Sequence, residues 1–129
     1  MSDYREIRYN YKKDIKNNKC YCILSGLKIT DQNELSIEHY VPRARGPYYE
    51  TKQWYNIYPA YKIINSIKGR LLPCEWMEQR ESLLKKTLAK DHLNKKNKEI
   101  IKAAIENMTN YRINPCEYCI LSVKCRDCR

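Results

Sequence analysis

The chain has 129 residues, with 25 Lys+Arg against 15 Asp+Glu and a formal net charge of +10. Its length suits one domain over residues 1–129, and its charge favours a polyanionic partner through release of phosphate counterions. No run of roughly 18 apolar residues is present, which argues against a membrane-spanning helix; the opening MSDYREIRYNYKKD lacks the apolar stretch of a signal peptide, so a cytoplasmic location is expected.

Tyr4, Ile7, Tyr11 and Ile15 recur at helical spacing and predict an amphipathic helix within residues 2–18. Cys20 to Leu24 reads as a short strand, Ser25-Gly26 as a turn, and Thr30 to Glu34 as a polar connection. Leu35 to Val41 reads as a second strand ended by Pro42. A basic loop follows over 43–53, then a strand-like stretch from Trp54 to Tyr58. Pro59 suits the first turn of a helix, Ile63, Ile64 and Ile67 mark its apolar face, and Gly69 suits its C-cap. Further helices are expected over Glu75–Lys90 and from Asp91 to about Asn110. Twelve Tyr and no Phe predict a thin core with hydroxyls at its edge. The fold class expected is a small α+β protein.

Ser36 to Lys68 carries the chemistry. Glu38 and His39 are adjacent near the end of a strand, Asn56 follows, and Asn65 and Lys68 lie three residues apart on one helix face. Phosphodiester hydrolysis needs a base for water, and a His neutral near pH 7 can serve. It also needs stabilisation of the charge developing on phosphate, which a hard divalent ion on oxygen ligands supplies. His39 suits the base, Glu38 a ligand, and Asn65 a neutral oxygen ligand that leaves the ion electrophilic. Neighbouring strand residues point to opposite faces, so Glu38 and His39 can share a site only where the strand ends or bends.

His39, Asn56 and Asn65, with Glu38 ahead of the His and Pro42 three residues after it, resemble the motif of the HNH endonucleases in an H-N-N form. The nine-residue step from Asn56 to Asn65 and the Lys68 beyond it resemble the HNH domain of CRISPR effector nucleases. The family usually carries Asp where this chain has Glu38. The resemblance covers about residues 20–70 and implies a ββα-metal core, with His39 as general base and one magnesium- or manganese-type ion on Glu38 and Asn65. Asn56 would hold the loop between the strands and so orient His39. The implied activity is nicking or cutting of DNA. A double-strand cut from one active site needs a homodimer, a larger complex or two sequential nicks.

Seven Cys in a cytosolic chain point to metal rather than disulfides. Cys116-x-x-Cys119 and Cys125-x-x-Cys128 are two pairs five residues apart, suited to one tetrahedral structural zinc in a tail over 115–129, behind a helical extension over 75–110. Cys74 is an alternative fourth ligand. Cys22 reads as a buried small apolar residue. Arg43, Arg45, Lys52 and Lys68 are the candidate nucleic-acid contacts, with Tyr48, Tyr49 and Trp54 nearby. Two other functions share parts of this pattern. A non-catalytic zinc-stabilised nucleic-acid-binding module needs the charge and the CxxC pairs but not Glu38 or His39, and a nuclease subunit could depend on a partner.

Overall fold

A computed structural model describes residues 4–121 and is a small α+β protein with a two-stranded antiparallel sheet. Helix α1 spans Tyr4–Lys16. Strands β1 (Leu35–His39) and β2 (Ile57–Tyr61) pair with Leu35 opposite Tyr61 and His39 opposite Ile57. Between them, residues 40–56 make one excursion containing the short helix α2 (Tyr48–Thr51) and 3-10 turns at Arg43–Arg45 and Trp54–Asn56. Helix α3 (Lys62–Lys68) follows β2 without a loop; α4 (Pro73–Leu88) and α5 (Lys95–Asn107) complete the described elements.

The packing centre is Trp76 of α4, fully buried, whose indole N–H donates to the Leu24 carbonyl at 2.9 Å. Ile29, Leu35, Ile64, Leu84 and Ile101 belong to the same core. Helix α3 contacts both strands and also α4 and α5, so the sheet reaches the helical layer through it. Helix α1 is tied on by buried Ile15 and by Tyr11, whose hydroxyl donates to the Ile57 carbonyl at 3.1 Å.

Several elements differ from the sequence expectation, each for a local reason. Pro59 lies inside β2, opposite Ile37, instead of opening a helix. Its carbonyl faces away from β1 and accepts from the Ile23 amide at 3.0 Å. The N–H that proline lacks would have pointed to that same side, so the β1–β2 ladder loses no bond. Trp54–Asn56 is a 3-10 turn and not strand, and β1 stops at His39. The stretch from Cys20 to Leu24 is not a strand; a single Tyr21–Lys28 bridge closes a tight turn there. Gly26 sits in that turn at φ +73°, and a Cβ on it would come within 2.3 Å of the Tyr111 ring, so only glycine fits. Helix α5 is capped by Asn94, which accepts from the Asn97 amide at 2.8 Å, and not by Asp91.

Candidate active site

β1 and α3 bring Glu38, His39 and Asn65 to one cleft of about 370 Å³, also lined by Ile37, Pro42, Arg43 and Arg70. Ser36 fixes the relation of the two elements. Its hydroxyl donates to the Ala60 carbonyl at 3.1 Å and accepts from the Asn65 amide group at 3.0 Å. The same Asn65 nitrogen lies 3.4 Å from the Ile37 carbonyl. With its N–H groups spent on β1, the lone pairs Asn65 offers to anything else are those of its carboxamide oxygen.

Asn56 is fully buried at the foot of the excursion. Its side-chain oxygen accepts from the Val41 amide at 2.9 Å, and its nitrogen donates to the carbonyls of Val41 and Thr51 at 3.0 and 2.7 Å. Its own carbonyl accepts from the Tyr40 amide at 2.9 Å. One side chain thus clamps the chain immediately beyond His39, which fixes where β1 ends.

Glu38 is 3 % exposed, and one carboxylate oxygen lies 3.5 Å from the Nζ of Lys68, which is 1 % exposed. That is an ion contact without a hydrogen bond: Lys68 Nζ and the second Glu38 oxygen are both buried without a hydrogen-bond partner. Burial pushes the Glu38 carboxyl up to about 7, with Lys68 opposing. Burial likewise lowers the Lys68 ammonium, against the pull of Glu38. Lys68 was expected to meet phosphate from the surface. It is instead enclosed against Glu38, because the helix face that carries Asn65 and Lys68 packs onto the strand.

His39 is half-buried, with Nε2 3.0 Å from the Tyr4 hydroxyl and its ring edge-on to the Tyr4 ring. Burial lowers its pKa, and the nearby Arg43 and Lys68 cations lower it further, so the imidazole is neutral near pH 7. Arg43 donates to the same Tyr4 hydroxyl at 2.8 Å. Tyr4 is therefore a site residue that the sequence reading placed only on a helix face. No spacing signal links it to His39, thirty-five positions away.

Arg45 is held by the Glu75 carboxylate of α4 and by the Arg70 carbonyl at 3.3 Å, at the edge of the cleft. Lys52 lies over the Tyr48 ring, 4.4 Å from its centroid.

Cys22 is buried, and its sulfur accepts from the Tyr61 amide at 3.4 Å. Asn114 caps a 3-10 turn at Pro115–Glu117 that carries Cys116, and Cys119 is buried beyond it. Tyr118 packs edge-on against Tyr40 and Tyr58, which folds the described part of the tail back onto the sheet. Cys125 and Cys128 lie outside the described residues. Among the described residues, no three His, Cys, Asp or Glu side chains gather as a metal-binding group, and no helix is long and apolar enough to cross a membrane.

No family model matches this chain, and no curated protein or solved structure matches it either.

Proposed function

We propose that the chain is a metal-dependent endonuclease of the HNH type, acting on nucleic-acid phosphodiester bonds, with DNA the expected substrate. The observation that carries this reading is Glu38, which lines one cleft with His39 and Asn65 and has its second carboxylate oxygen buried without a partner. Leaving a buried carboxylate oxygen unpaired costs stability, and a hard cation with oxygen ligands is the group that would satisfy it. Glu38 and Asn65 would hold one magnesium- or manganese-type ion, with water filling its remaining positions; two protein ligands imply weak binding in the absence of nucleic acid. When bound, such an ion stabilises charge on the phosphate and on the leaving oxygen.

His39 takes the proton from the attacking water, a role its lowered pKa permits at neutral pH. Tyr4 of α1 holds the imidazole, and Arg43 donates in turn to the Tyr4 hydroxyl. Asn56 fixes the backbone beyond it. Arg43 and Arg45, both exposed, and Lys52 are the phosphate contacts on this reading. Lys68 keeps the Glu38 charge compensated when no divalent ion is there. Cys116 and Cys119, with Cys125 and Cys128, would bind one structural zinc.

Plasmid nicking with magnesium or manganese tests the nuclease reading: wild type cuts and His39→Ala does not. If both proteins bind DNA and neither cuts with any divalent metal, the reading fails. Zinc per chain tests the tail. Cys128→Ser is expected to lose the ion and Cys74→Ser to keep it; retention of zinc by both variants sinks the four-cysteine assignment.

A further inference from the structure

The excursion between β1 and β2 starts with ordinary polarity, burying Tyr40 and Val41 and exposing Arg43 and Arg45, but its second part, 48–56, reverses it. It buries Thr51, Gln53 and Asn56, and it exposes Tyr48, Tyr49 and Trp54 at 73, 65 and 70 %. Aromatic rings normally go inside and amides outside. Here the polar side chains are fastened inward. The Thr51 hydroxyl donates to the Tyr48 carbonyl at 3.1 Å, the Gln53 amide to the Tyr49 carbonyl at 3.1 Å, and Asn56 to the Thr51 carbonyl. The rings are thus presented to solvent from a backbone that is already fixed, so binding would order little of this loop.

Two further features indicate what these rings meet. Lys52 sits over the Tyr48 ring, and Arg43 stands nearer the start of the same excursion, so cations flank the exposed tyrosines in a chain of net charge +10. Beside Trp54 and Tyr55, a mostly apolar cleft of about 290 Å³ opens against Ile7, Asn10 and Tyr11 of α1. The excursion leaves β1 at His39 and rejoins β2 at Ile57, the register partner of His39. The aromatic surface therefore belongs to the same end of the hairpin as the candidate base.

We infer that this surface binds unpaired nucleobases. A single-stranded segment would stack on Trp54 and the exposed tyrosines, with its phosphates met by Lys52 and Arg43. Base stacking on an aromatic face combined with a cationic track is the general chemistry of single-strand binding, and the bases of an intact duplex are already stacked on one another. This deepens the nucleic-acid reading above and rests on it for the substrate class. The cleft beside His39 would then prefer a strand that is unwound, frayed or displaced, as negative supercoiling provides in a plasmid, over a relaxed duplex.

The test uses tryptophan emission. The chain has two Trp, and Trp76 is fully buried, so quenching by a ligand reports Trp54. Emission is followed for wild type, and the affinities of wild type, Trp54→Ala and Trp54→Tyr are measured by the anisotropy of dye-labelled ligands, in buffer without added magnesium or manganese, which prevents cleavage and leaves a tail zinc in place. The ligands are a single-stranded DNA oligonucleotide, the same sequence as RNA, the blunt duplex, and heparin as a polyanion without bases. Single strands should quench Trp54 and heparin should not. Trp54→Ala should weaken single-strand binding by about tenfold, the order expected for removing one base-stacking ring. It should change duplex binding less than twofold, and Trp54→Tyr should retain most of the single-strand affinity. The DNA and RNA arms identify which strand is preferred.

Equal quenching by heparin, equal affinity for duplex, or an unchanged Trp54→Ala would each overturn the proposal. So would self-association through the patch with no binding to single strands. Single-strand binding without nicking would uphold this inference and remove the nuclease reading; nicking indifferent to Trp54 would do the reverse.

Discussion

In the helical layer, buried polar side chains reach backbone carbonyls. Trp76 donates to Leu24, and the Arg80 guanidinium donates to Tyr111 and Met108 beyond the end of α5, at 2.8 and 3.2 Å. Around β1 and α3 some side chains do the same, Ser36 to Ala60 and Asn56 to Val41 and Thr51, but others stay unpartnered. Among the described residues, the buried side-chain atoms without a hydrogen-bond partner belong to Glu38, Tyr40 and Lys68. One region is built to be stable, and its polar atoms anchor helices. The other keeps polar atoms incompletely satisfied within a few residues of one another. Such placement costs folding energy, and functional sites are where that cost is commonly tolerated.

Substitutions can separate the two regions. Trp76→Ala should lower unfolding free energy by about 3–5 kcal/mol, the range for removing a buried indole, and denaturant melts would show it. His39→Ala should leave the melt nearly unchanged while reducing nicking by roughly 10²–10⁴, the share of a general base. If His39→Ala unfolds the protein and Trp76→Ala does not, the division is wrong.

The buried pair sharpens the contrast. Lys68→Met alone leaves a buried carboxylate without its counter-charge and should cost about 3–5 kcal/mol, whereas the Glu38→Gln/Lys68→Met double variant should melt close to wild type or above it. Nicking should be lost in both. Additive losses from the two single substitutions would mean the pair is not coupled.

Tyr4→Phe should cost less. Groups that orient a reacting residue typically contribute about 10- to 100-fold, so nicking should fall by roughly tenfold at the low end of that range. The His39 Nε2 nitrogen resonance should shift as well, and Tyr4→Phe with unchanged His39 signals would remove Tyr4 from the site. With two His in the chain, the assignment is direct.

The buried carboxyl also makes stability depend on pH. Glu38 is raised from 4.5 to about 7, so the folded state binds its proton more tightly than the unfolded state does. This group's favourable contribution is complete below pH 4.5 and is lost as pH rises through about 7. His39 acts in the other direction at lower pH. Its lowered pKa means that acidification through the unfolded value of 6.5 favours the unfolded chain. Thermal melts from pH 5 to 8 should show a Glu38-dependent downward slope that Glu38→Gln removes.

The sequence by itself determined the α+β class, the helices whose apolar residues recur in long stripes, and the residue types that share the cleft. Glu38, His39 and Asn65 stood out in the sequence as a carboxylate, an imidazole and a carboxamide, and the fold brings these three to one cleft, whereas Asn56 fastens the backbone at Val41 and Thr51. What only the tertiary structure decided follows from contacts distant in sequence. Pro59 could enter a strand because its missing N–H faces away from β1. Lys68 was enclosed because α3 packs its polar face onto the strand. Tyr4 reached His39 because Tyr11 and Ile15 seat α1 against the start of β2 and the core. The aromatic exposure of residues 48–54 arose because Thr51, Gln53 and Asn56 take the interior positions instead, and no periodicity in the chain records that exchange.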